Sequence, residues 1–87
     1  MENKLVFTDN LPSIDLHGLD REMSLLEVRD FINDNIKLKN EYIVIIHGIG
    51  KKILLNTVRD ELTKNKLVVN YQTNYFNMGA TVVKLKL

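Results

Sequence analysis

Two histidines, each followed by glycine, are the residues of this 87-residue sequence best suited to proton transfer or anion contact. His17-Gly18 follows the short segment Ser13 to Leu16, and His47-Gly48 follows the run Tyr42-Ile43-Val44-Ile45-Ile46. Both preceding segments read as strands, so both imidazoles are expected at strand ends. An imidazole titrates near neutral pH and can give or take a proton. Asp15 stands two residues before His17, and residues two apart on a strand share a face. A carboxylate so placed can orient the imidazole, stabilise its charged form or help hold a divalent ion. The same spacing also fits an aspartate that caps a loop beside a structural histidine.

The loop Gly48-Ile49-Gly50-Lys51-Lys52 invites a phosphate-binding reading. Glycine lets the backbone approach an anion, the following helix start offers unpaired N–H groups, and two lysines add charge. The loop is not the G-x-x-x-x-G-K-S/T nucleotide cradle, which would need glycine at Ile45 and a hydroxyl at Lys52. It is not a dinucleotide fingerprint either, because Ile53 occupies the third glycine position. Glycines needed only to shape a helix entry would leave the same pattern.

The elements that must position these groups follow from periodicity. Asp20 is a suitable N-cap for a helix to about Lys39, with Leu25, Val28, Ile32 and Ile36 recurring at helical spacing. Tyr42 to Ile46 is an unbroken, β-branched run of the kind buried on both faces of a helix-covered sheet. A second helix is expected from about Lys52 to Asn65, with Leu54, Val58 and Leu62 four residues apart. Leu67 to Gln72 reads as a third strand, Thr73 to Gly79 as a polar loop, and Ala80 to Leu87 as an alternating last strand. The order β-α-β-α-β-β implies a mixed four-stranded sheet: a parallel first pair, a right-handed crossover and a closing hairpin. In such a sheet ligands gather at the carboxyl ends of the parallel strands, where both histidines fall.

Composition sets the outer limits. The length allows one domain, here a short arm at 1–12 and a folded unit at 13–87. An apolar fraction of 45% and a charged fraction of 26% fit a globular chain rather than a disordered one. The absence of cysteine excludes disulfides and thiolate metal sites. No signal-like or membrane-length apolar stretch is present, so a cytoplasmic protein without a membrane partner is expected. A net charge of +1 neither demands nor excludes a polyanionic partner, so any phosphate-binding surface must come from local clustering of Lys and Arg. Lys84 and Lys86 share one face of the last strand, a pattern that more often marks a solvated face. Tyr71, Tyr75 and Phe76 could stack on bases or serve as core contacts.

Three ordered strings resemble the small MutS-related (Smr) domain family. Ile14-Asp15-Leu16-His17-Gly18 is similar to its L-D-L-H-G opening, His47-Gly48-Ile49-Gly50 to its H-G-x-G loop, and Gly79-Ala80-Thr81-Val82-Val83-Lys84-Leu85 to its G-x-T-x-V-x-L close. The sequence departs from the family where many members carry a third glycine, here Lys52, and an arginine, here Leu55. The resemblance implies an α+β two-layer sandwich similar to the C-terminal domain of a bacterial translation initiation factor. It implies a DNA- or RNA-binding protein with endonuclease chemistry, nicking or RNA-cleaving. The catalytic positions would be Asp15, His17 and His47, and the nucleic-acid contacts Gly48, Gly50, Lys51 and Lys52. Mg²⁺ or Mn²⁺ would be held in part by Asp15, although one carboxylate is a poor metal site by itself. Branched or structured nucleic acid and the ribosome are the implied partners. A non-catalytic DNA-, RNA- or ribosome-binding module is the alternative, and an intact Asp15-Leu16-His17 is what pure binding would not require.

Overall fold

The computed structural model describes residues 10–48, 53–73 and 79–87. Six elements follow in order: β1 (Ser13–Asp15), α1 (Arg21–Lys37), β2 (Tyr42–Ile46), α2 (Ile53–Lys64), β3 (Val68–Thr73) and β4 (Ala80–Leu85). The sheet order is β1-β2-β4-β3. β1 pairs parallel with β2, in register Asp15 with Ile46, and β4 pairs antiparallel with both β2 and β3. The expected parallel pair and closing hairpin are both present, with the last strand set inside the sheet rather than at its rim. Thr73, expected in a loop, extends β3 and pairs with Thr81.

Alternation along the strands sorts the apolar side chains into two layers. Ile43, Ile45, Val83 and Leu85 meet Val28 and Ile32 of α1 and Val58 and Leu62 of α2 in the main core. Each fully buried aliphatic side chain of this kind contributes about 1.5–3 kcal/mol. Val44, Ala80 and Val82 face the other way, against Leu11, Tyr42 and Ile46. The β2 run is thus apolar on both faces as its composition demands, but both helices lie on one side. Among the described residues of the expected arm, Leu11 packs on that second layer and the Pro12 carbonyl accepts the Val44 N–H at 2.9 Å.

Local chemistry sets the helix ends. The Asp20 side chain accepts the Met23 amide at 2.8 Å and starts α1. Beyond Lys37 the chain closes with Lys39 N–H on the Ile36 carbonyl and Asn40 N–H on the Asn35 carbonyl. This is the paired-bond ending that calls for a left-handed residue, and Lys39 occupies it at φ 63°. Arg29 of α1 donates to Glu61 of α2 at 3.0 Å. Hydrogen bonding and the adjacent charge of Glu61 raise the Arg29 pKa above its ordinary value, so the cross-helix cation is permanent. No helix among the described residues is long and apolar enough to cross a membrane.

Candidate functional site

Both histidines follow the carboxyl ends of paired parallel strands, as their sequence positions require. Their surroundings differ sharply. β1 ends at Asp15, Leu16 is fully buried, and the chain turns at His17-Gly18 with Gly18 at φ 82°. Leu16 donates its N–H to the Ile46 carbonyl at 2.9 Å and accepts from Leu19 at 3.1 Å, so the turn is fastened to β2. The Asp15 carboxylate accepts the main-chain N–H of His17 at 2.9 Å. Strand alternation therefore stops before His17, and the contact between the two residues is carboxylate to amide rather than carboxylate to imidazole. The His17 side chain is exposed and has no hydrogen-bond partner among the described residues.

His47 is buried, with 6% of its surface accessible. Its Nδ1 lies 2.9 Å from the carbonyl of Gly48 and its Nε2 lies 2.8 Å from the hydroxyl of Thr81. A carbonyl can only accept, so Nδ1 carries the proton. In the neutral ring Nε2 then accepts from the Thr81 hydroxyl, and in the charged ring it donates to the same oxygen. The Gly79 carbonyl accepts from His47 N–H at 2.9 Å and from Gly48 N–H at 2.8 Å, holding the bend from below. Gly48 sits at φ 82°, where a Cβ would meet nothing within 4 Å. Backbone conformation rather than lack of space calls for glycine there.

Gly79 and Thr81 support the His47 bend and are positions that residue chemistry alone passes over. The signal for them is the closing string Gly79 to Leu85, whose glycine and threonine both serve the His47 bend. Thr73 lies across from Thr81, and its hydroxyl accepts from Arg59 of α2 at 3.2 Å, which brings a cation to the same edge. Tyr71 is half-buried against the main core with its hydroxyl 2.7 Å from Thr63, so it serves packing. Of the other expected contacts, Gly50, Lys51 and Lys52, like Tyr75 and Phe76, lie outside the described residues.

Residues 14–86 match the family model described as the Smr domain. The chain is 33% identical over 76 residues, 84% of its length, to the Endonuclease MutS2 of Clostridioides difficile. It is 30% identical over 81 residues, 90% of its length, to the Endonuclease MutS2 of Alkaliphilus metalliredigens. In each case the match spans 10% of the relative's own length. Among solved structures it is similar to the Smr domain of Thermus thermophilus MutS2, with a TM-score of 0.86 and 28% identity over 88% of this chain and 100% of that one. It is also similar to YdaL, a stand-alone small MutS-related protein from Escherichia coli, with a TM-score of 0.78 and 25% identity over 86% of this chain and 64% of that one.

Proposed function

The chain belongs to the Smr domain family, and on that basis we propose that it binds nucleic acid and cuts a phosphodiester bond at the carboxyl edge of its sheet. One observation supports this above the rest: an exposed, unengaged His17 stands at the parallel strand end beside a buried His47 bend. Relatives matched over this segment are named endonucleases, although the segment is 10% of their length.

Breaking a phosphodiester requires a proton removed from the attacking hydroxyl, a proton given to the leaving oxygen, and stabilisation of charge on the phosphoryl group. His17 is the group free to exchange a proton with a bound strand. Asp15 acts through the main chain, fixing the turn that presents the imidazole. His47 acts from behind it, through Thr81 and the Gly48 carbonyl, to set the bend into the Gly50-Lys51-Lys52 segment. Those lysines, with the helix start that follows, are assigned the phosphate.

A protein-held divalent ion fits these residues poorly. Among the described residues no group of three or more His, Cys, Asp or Glu side chains could hold a metal. One Asp15 oxygen is already used by the His17 amide, so no step is assigned to a metal.

The capping role of Asp15 favours a second reading, a binding module for structured nucleic acid or a ribosomal surface without cleavage. Incubating the protein with labelled branched DNA, plasmid, structured RNA and ribosomes, with and without Mg²⁺ or Mn²⁺, separates the two. Cuts that vanish in His17→Ala support the nuclease. Retention of a nucleic-acid or ribosome partner with no product under any condition supports the module.

A further inference from the structure

Every lysine among the described residues lies at the end of the sheet opposite the histidines. Lys37 is the last residue of α1 and Lys39 stands in the turn leading to β2. Lys64 closes α2, and Lys66 precedes Leu67 at the approach to β3. Lys84 lies across from Tyr42, the first residue of β2, and Lys86 donates its amide to the Leu67 carbonyl at 2.7 Å. A further bond, Leu85 N–H to the Glu41 carbonyl at 2.7 Å, ties β4 to the turn that carries Lys39. Lys37, Lys39, Lys64, Lys66 and Lys86 are exposed. Lys84 is the member with an ion-pair partner among the described residues, Glu41 at 3.8 Å. Asp34 and Asp60 stand about one turn back along their helices, leaving the tip itself cationic.

The carboxyl edge differs in charge. Its described charged groups include Asp15, Asp20, Arg21, Glu22 and Arg59, so carboxylates outnumber cations there.

We infer that this lysine-bearing amino edge is a second nucleic-acid contact, gripping the phosphate backbone away from the cutting edge. The inference rests on the nucleic-acid reading and extends it to a surface that chemistry at the histidines does not need. Exposed ammonium groups suit this work: they are point charges on flexible stems that follow a backbone without reading bases. β2 is five residues long, so the two edges are separated by roughly 17 Å at about 3.3 Å per residue. Duplex DNA carries about one charge per 1.7 Å of axis, so a duplex lying along the strand direction can meet both edges at once.

The test is the salt dependence of binding to a labelled 25-base-pair duplex, followed by fluorescence anisotropy on the full chain. Removing one lysine that neutralises a phosphate should reduce the slope of log K against log salt by about 0.9. The variant Lys66→Gln with Lys86→Gln is expected to lower the slope by about 1.8 and to elute earlier from heparin. The control Leu26→Glu with Asn33→Asp lowers the net charge by the same two units on the exposed face of α1, between the two edges. An equal slope change in the control means diffuse charge rather than a contact and overturns the inference. An unchanged slope in the lysine variant, with wild-type protein still binding, overturns it while leaving the nuclease reading intact. Earlier heparin elution with an unchanged DNA slope overturns it, since the lysines then meet polyanions in general without touching bound DNA. A wild type that binds neither this duplex nor a labelled RNA hairpin run in parallel removes the nucleic-acid reading, and the second contact with it.

Discussion

Single side chains divide here into those that face solvent and those that hold the bend. His17 is exposed and unengaged among the described residues, so His17→Ala should leave stability within about 0.5 kcal/mol of wild type. Cleavage should nevertheless fall by roughly 10²-fold, the usual worth of a positioned acid or base. A His17→Ala protein that cuts at the wild-type rate refutes the proton-transfer assignment. Thr81→Val tests the opposite case. It removes the hydroxyl that serves His47 Nε2 in a buried setting, and an unpaired buried polar atom costs about 1–3 kcal/mol. Urea denaturation should record that loss with an unaltered m-value, and an unchanged midpoint would mean that water or another group replaces the hydroxyl. The sequence makes both imidazoles visible because residue type is visible. It leaves their unlike roles hidden, because the partner of His47 lies 34 positions away. Asp15 is similar: its spacing to His17 suits an imidazole contact, but the strand ends before His17 and the carboxylate takes the amide instead.

Among the elements, α1 is the most legible in the sequence, since Asp20, the apolar spacing and the length all point to one helix. Its final turn is less so. Lys39 adopts the left-handed conformation that glycine fills without strain, and for a side-chain-bearing residue this costs roughly 1 kcal/mol. Lys39→Gly should therefore raise stability by no more than about 0.5 kcal/mol, most of the strain relief being offset by the greater freedom of glycine in the unfolded chain. Thermal unfolding checks the sign. A lower midpoint would mean that the lysine side chain contributes packing that outweighs its strain. β2 illustrates what composition can and cannot say: YIVII announces two buried faces, but not that helices supply one cover and Leu11 part of the other. The alternation of residues 80–87 likewise announces a strand without naming its neighbours, since pairing is decided by closure of the core rather than by local pattern.

Across the whole molecule, the decisive choice is the insertion of β4 between β2 and β3. Val82, Val83 and Leu85 are each at most 1% exposed, and together they represent roughly 5–9 kcal/mol of burial. That is comparable to the entire stability of a small domain. Deleting residues 80–87 should leave a chain without the cooperative unfolding transition of the whole domain, as read by far-ultraviolet circular dichroism. A cooperative transition in the truncated chain would show that β1, β2 and the helices suffice. Synthesis delivers the polypeptide N-terminus first, so the wedge that completes this sheet emerges after everything it must join. Until it clears the ribosome, the apolar flank of Ile43-Val44-Ile45 is without its antiparallel mate, and shape is acquired late and at once instead of piece by piece. Nascent chains stalled with Gly79 at the tunnel mouth should be cut readily by protease, and chains extended by a spacer beyond Leu87 should resist.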